Sequence, residues 1–99
     1  MLLRQIQYFI SVVENDSFTE AAEECFISQS AISQQIKVLE TELGVQLLTR
    51  QNRKFTLTPA GEYFYKQGKR IMTELDKIKQ ETIRVAKADD QHLRIGYLH

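Results

Sequence analysis

Residues 28–43 carry the pattern that most limits how this chain can fold. Apolar side chains recur every three or four residues, as on one face of an α-helix, at Ile32, Ile36, Leu39 and Leu43. The opposite face holds hydroxyl, amide and ammonium groups, on Ser30, Ser33, Gln34 and Lys37. Such groups can exchange hydrogen bonds with base edges without a carboxylate's repulsion from phosphate. The stretch therefore predicts a recognition helix, with an ordinary solvated helix face as the alternative.

Two helices are predicted before this stretch. Residues 2–14 show one apolar stripe, and the run 17–20 fits a capping box that starts a short helix at about Phe18–Cys25. Its Ala21 and Ala22 are small enough for another helix to cross closely, and Phe26-Ile27 would anchor the turn before Ser28 caps the third helix. Two helices joined by a tight turn predict a helix-turn-helix, although a helical hairpin inside a bundle would look the same.

A short hairpin is predicted after the third helix. Gly44 marks the end of that helix, where a positive φ is commonly needed. Residues 45–50 and 54–58 then indicate two strands around the polar turn 51–53. A hairpin directly after a recognition helix predicts a wing, and Arg50, Arg53 and Lys54 supply cations that could reach phosphates or the minor groove. The alternative is a solvated turn.

The charge distribution favours a nucleic-acid surface although the formal net charge is zero. Residues 1–45 hold two basic residues against seven acidic ones, whereas residues 46–88 hold ten basic residues against four. The basic half follows the predicted recognition helix, and the acidic half could face away from DNA.

The composition argues against several other classes of protein. Ninety-nine residues suit one small domain, and no apolar run approaches the ~18 residues of a membrane span. Without a signal-peptide pattern, the protein is expected in the cytoplasm. Cys25, His92 and His99 lack metal-site spacing, and a single cysteine excludes an internal disulfide. No catalytic residue set or phosphate loop is present, so neither an enzyme nor a cofactor site is expected in this fragment.

A long helix is predicted from Pro59 to about Lys87, because Thr58 can cap it and proline suits its first position. Residues spaced alternately by three and four form a heptad seam, whose dimerisation positions are Phe64, Gly68, Ile71, Leu75, Ile78, Thr82 and Val85. At ~1.5 Å per residue the helix is about 44 Å long, more than so small a head can cover. The seam therefore predicts a homodimer.

The last residues indicate a third segment. Residues 88–91 are polar and predict a linker, and residues 93–98 alternate like the first strand of a sheet whose other strands are missing. The predicted divisions are a DNA-binding domain at 1–58, a dimerisation helix at 59–88, and at 89–99 the linker with the start of a further domain.

The chain resembles the LysR-type transcriptional regulators. The resemblance rests on these residues: Phe18-x-x-Ala21-Ala22, Ser28-Gln29-x-Ala31-Ile32-Ser33-x-Gln35-Ile36, Leu39-Glu40-x-x-Leu43-Gly44, Leu47, Arg50 and Leu57-Thr58-x-Ala60-Gly61. It implies a mainly α winged helix-turn-helix of three helices plus a two-stranded wing, followed by a long dimerisation helix. It also implies a homodimer on an interrupted inverted repeat of double-stranded DNA, tetramers at full length, no membrane partner, and a small-molecule effector for a missing C-terminal domain.

The same resemblance places DNA contacts on particular residues. Together with Ser28 and Lys54, they are Gln29, Ser30, Ser33, Gln34, Lys37, Arg50 and Arg53. Ser30 stands where the family commonly has proline, and Gln34 where it commonly has arginine. Both lie on the predicted reading face, so the bases read cannot be inherited from the family.

One rival of another class stays open at this point. A winged helix can bind protein instead of DNA, with the long helix as a docking coiled coil. The basic wing and the hydroxyl-lined third helix argue against that interpretation, and steep weakening by salt would distinguish a DNA reader.

Overall fold

The computed structural model describes residues 1–52 and 54–91, which form a three-helix head, a two-stranded wing and a long fourth helix. In chain order the elements are α1 (Leu3–Asn15), α2 (Phe18–Cys25), α3 (Gln29–Leu43), β1 (Leu48–Gln51), β2 (Lys54–Leu57) and α4 (Pro59–Gln91). The molecule extends to 61 Å along its longest axis, against 25 and 20 Å across it. The predicted winged helix-turn-helix with a long following helix is confirmed. Within the described residues, no helix is long and apolar enough to cross a membrane.

Side-chain caps place the helix starts where the sequence predicts them. The Ser17 hydroxyl accepts a hydrogen bond from the Glu20 backbone N–H at 3.1 Å, and Ser28 does the same for Ala31 at 3.1 Å. At the other end of α3, Gly44 adopts a φ of 75°, which only glycine adopts without strain. The predicted bounds of α2 and α3 are therefore confirmed.

The head is held together by a core between α1, α2, α3 and the start of the wing. Its buried members are Phe9, Val12, Ala21, Ala22, Ile32, Ile36, Leu39, Leu47 and Leu48. Because the apolar face of α3 is buried in this core, its polar face is directed outward.

The wing begins later than predicted. β1 starts at Leu48 rather than at residue 45, and it pairs antiparallel with β2 so that Leu48 lies opposite Leu57. The carbonyl oxygens of Gln46 and Leu47 accept from the Thr58 hydroxyl at 2.7 Å and the Thr58 N–H at 3.1 Å. These groups therefore join the base of the wing to the start of α4. Arg53, at the turn, lies outside the described residues.

The first turns of α4 pack on α1 of the same chain. The Phe64 ring meets the Phe9 ring edge-on at 5.5 Å, and a Cβ at Gly68 would lie 3.0 Å from Cγ2 of Ile6. Phe64 and Gly68, the first two positions of the predicted seam, therefore contact their own head, and their part in a dimer stays a prediction. A heptad period identifies an apolar stripe but not which chain covers it.

An ion-pair cluster lies at the surface edge of the contact between α1 and α4. The Glu14 carboxylate accepts from the Lys69 ammonium at 2.7 Å and from the Tyr65 hydroxyl at 2.9 Å. The hydrogen bond from Lys69, helped by that from Tyr65, lowers the pKa of the Glu14 carboxyl below its ordinary value. The cluster therefore joins the end of α1 to α4 while this carboxyl is ionised.

Two local predictions were wrong. The predicted linker at 88–91 is helical, since α4 runs to Gln91 and residues 69–91 contain neither glycine nor proline. Phe26 does not anchor the turn, because its side chain is 93% exposed and its φ of 61° closes α2. Ile27 packs against the core instead. The predicted strand at 93–98 lies outside the described residues.

Candidate nucleic-acid interface

The outer face of α3 is a continuous polar surface. Four of its predicted contact residues are exposed and one, Ser33, is half-buried; the exposed ones are Gln29, Ser30, Gln34 and Lys37. On the opposite face, Ile32, Ile36 and Leu39 are 0% exposed. Ser28 caps the helix, and its hydroxyl oxygen also lies 3.3 Å from that of Ser30. The polar groups of α3 are therefore held outward by the burial of its other side.

Two depressions flank this face, and each combines α3 with the wing. One, of about 310 Å³, is lined by Lys37 of α3 and Arg50 of β1 among others. The second, of about 320 Å³, lies between the starts of α2 and α3 and includes Gln29 and Lys54. The fold thus brings two predicted residues of α3, Lys37 and Gln29, close to two of the three predicted wing cations.

Aromatic packing positions one of these cations. The guanidinium carbon of Arg50 lies 4.8 Å from the centre of the Phe18 ring, a cation–π contact. Phe18 in turn meets Phe55 of β2 edge-on at 5.4 Å. The start of α2 therefore supports both strands of the wing. Sequence spacing did not indicate this role for Phe18, although Phe18 belongs to the family motif.

Glu40 is an acidic residue beside this surface, and its charge is directed into the protein. Its Oε2 accepts from the backbone N–H groups of Leu47 at 2.7 Å and Leu48 at 3.1 Å. Those two residues are only 1% and 2% exposed. The carboxylate therefore ties the last turns of α3 to the first residues of the wing, a role that sequence spacing did not indicate.

We expect Glu40→Leu to lower the free energy of unfolding by about 2–4 kcal/mol, because two largely buried N–H groups would lose a charged acceptor. Glu40→Gln, which keeps the shape and an acceptor oxygen, should lose less. Urea unfolding measures both effects. The matched control is Glu42→Leu, since Glu42 is exposed and pairs with the terminal ammonium of Met1 at 2.5 Å. Equal losses at positions 40 and 42 would contradict the assignment.

A three-helix head with an outward polar third helix and a cationic hairpin defines the winged helix-turn-helix class of protein. Residues 3–62 match the model of a family described as "Bacterial regulatory helix-turn-helix protein, lysR family". The chain belongs to this family of transcriptional regulators.

Two curated relatives match nearly all of the chain. The transcriptional regulator BenM of Acinetobacter baylyi is 41% identical over 98 residues, which cover 99% of this chain and 32% of BenM. The Hca operon transcriptional activator HcaR of Escherichia coli is 38% identical over 98 residues, covering 99% of this chain and 33% of HcaR. The chain therefore spans about a third of the length of these relatives.

Solved structures agree with the fold. The complex of BenM_DBD with catB site 1 DNA has a TM-score of 0.84 at 43% identity, covering 87% of this chain and 97% of that one. The CbnR_DBD–DNA complex has a TM-score of 0.77 at 39% identity, covering 88% and 99%. This chain is thus similar to domains that were crystallised on DNA.

Proposed function

We propose that this chain binds double-stranded DNA by sequence, with α3 in the major groove and the wing on the minor groove or the phosphate backbone. The observation that carries the proposal is the outward polar face of α3, flanked by two depressions to which the wing contributes Arg50 and Lys54. An α-helix fits the major groove, where each base pair shows a distinct hydrogen-bonding pattern. The similar BenM and CbnR domains in DNA complexes support it.

The proposed binding unit is a homodimer on an interrupted inverted repeat, formed through the outer part of α4. Beyond the head, α4 exposes an apolar row in which Ile71, Ile78 and Val85 are 40%, 55% and 54% exposed. Leu75 is half-buried and Thr82 is exposed along the same row. A second copy could cover this row, and a two-fold axis would then present two heads to two half-sites.

Three further parts of the proposal rest on the family. The regulator would act in the cytoplasm on promoter DNA, and it could assemble to tetramers at full length. A small-molecule effector would bind to the remainder of the protein rather than to residues 1–91. The relatives that support this are about three times as long as the chain.

Substitutions on α3 test the reading of bases, after an operator has been selected from genomic fragments. We expect Gln29→Ala to weaken binding to the operator by about 1–3 kcal/mol, since Gln29 lies where such helices meet base edges. Binding to random DNA should weaken much less. Lys37→Ala should weaken binding to the operator and to random DNA alike. It should also flatten the slope of the log binding constant against the log salt concentration by about one unit.

The control for this test is Gln7→Ala on α1, which is exposed away from α3 and should change neither affinity. Titrations at several salt concentrations give the slope. Equal losses on operator and random DNA would show that Gln29 does not read bases. Binding of the wild-type chain that is absent or insensitive to salt would favour the protein-docking module instead.

A further inference from the structure

Gln29 at the start of α3 is hydrogen-bonded to a residue of α2. The Thr19 hydroxyl donates to Oε1 of Gln29 at 3.2 Å. Both side chains are exposed, and both line the depression of about 320 Å³ beside the polar face of α3. A residue of α2, the first helix of the motif, therefore contacts a side chain that is expected to read bases.

The position of Thr19 is fixed by its neighbours. Ser17 caps α2 through the Glu20 N–H, and the Phe18 ring is packed against Phe55. Threonine is also β-branched, so that few χ1 rotamers are open to it on a helix. The backbone of Thr19 is thus fixed relative to its neighbours, and its hydroxyl has few positions open to it.

This contact occupies part of the acceptor end of the Gln29 amide. A glutamine amide carries an acceptor oxygen at one end and two N–H donors at the other. With one lone pair of Oε1 accepting from Thr19, this oxygen has one lone pair left for DNA, whereas the contact uses neither Nε2 donor. Adenine is read by glutamine with both ends at once, whereas guanine offers the acceptors O6 and N7, and thymine offers O4. An amide held in this way favours guanine or thymine over adenine.

We propose that Thr19 is a positioning residue that holds the Gln29 amide as a hydrogen-bond donor, so that the protein prefers guanine or thymine to adenine at the base pair that Gln29 contacts. The proposal rests on the proposed function. In the free protein the bond competes with water, and it strengthens when the DNA groove excludes water.

The test uses Thr19→Val, which keeps the shape of the side chain and removes the hydroxyl, and Thr19→Ser, which keeps the hydroxyl. Each variant is titrated with operators that carry all four base pairs at every position of a half-site. The pair read by Gln29 is the one at which Gln29→Ala abolishes base preference.

At that pair we expect Thr19→Val to raise affinity for adenine relative to guanine or thymine by roughly 3- to 10-fold. Thr19→Ser should keep the wild-type preference, and affinity for random DNA should stay unchanged in both variants. In a Gln29→Ala background, Thr19→Val should have no further effect on base preference. Thermal unfolding checks that both variants are as stable as the wild type.

Three results would overturn the proposal. They are a wild-type preference for adenine at this pair, an unchanged preference in Thr19→Val, and an effect of Thr19→Val that persists without Gln29. The last would show that Thr19 contacts DNA itself. In all three cases the chain still selects an operator, so the proposed function stands. A wild-type chain without any operator preference would refute the proposed function and this inference together.

Discussion

Gly61→Ala is expected to lower the free energy of unfolding by about 3 kcal/mol or more. Gly61 lies in the first turn of α4, where alanine would ordinarily favour the helix. Here a Cβ would lie 2.0 Å from the Leu47 carbonyl oxygen and 2.9 Å from its carbon. Both are backbone atoms, so relief requires α4 to move away from the base of the wing.

The other glycines supply matched controls for urea unfolding. Gly68→Ala would place a Cβ 3.0 Å from the Ile6 side chain, which can shift more easily than backbone, so a smaller loss is expected. Gly44→Ala would place its Cβ in open space, but the residue would keep a φ of 75°. That backbone conformation should cost alanine roughly 1–2 kcal/mol. If Gly61→Ala lost no more stability than Gly44→Ala, the close approach of α4 to the base of the wing at Leu47 would be refuted.

The second large effect is expected from Ile78→Glu combined with Val85→Glu on the outer part of α4. In a two-fold pair these changes would bring four carboxylates into one apolar contact, at a cost of several kcal/mol. The dimer should then dissociate at micromolar concentration. Operator affinity should fall about 10²- to 10⁴-fold, towards that of one half-site, because the second head no longer binds intramolecularly. Sedimentation and operator titration measure the two results.

The control is Thr73→Glu combined with Gln80→Glu, which adds the same charge with the same spacing on the opposite face of α4. It should stay dimeric and keep its operator affinity. The head should stay folded in both double variants, since the core lies in α1 to α3 and the wing. A dimeric Ile78→Glu, Val85→Glu chain would show that the row is misassigned. A monomeric one with full affinity would show that α4 does not position the heads.

Local signals in the sequence were enough to predict most helix boundaries. Ser17, Ser28 and Thr58 each accept a backbone N–H at a helix start, and the structure contains all three bonds. Capping involves residues at most three positions apart, so that it can be recognised without knowing the fold. The same holds for Gly44, whose positive φ ends α3.

Features set by distant residues could not be predicted. The start of β1 depends on Glu40, eight residues before Leu48, and on Thr58, eleven residues after Leu47. The partner of Phe64 is Phe9, and an apolar period does not identify it. At the candidate interface, the exposed residues of α3 followed from helical periodicity, whereas the Thr19–Gln29 and Arg50–Phe18 contacts required the packing of α2 against its neighbours.

The base of the wing and the start of α4 are joined closely enough to turn together. Thr58 binds the carbonyl oxygens of Gln46 and Leu47, and Gly61 leaves no gap against Leu47. Rotation of α4 about its own axis is therefore expected to rotate the hairpin in the same direction. In a dimer, a change of the angle between the two long helices would move each hairpin along the DNA. The move would change which part of the DNA each hairpin contacts. Rotation of one long helix relative to the other would thus change the affinity for DNA without any change in α3.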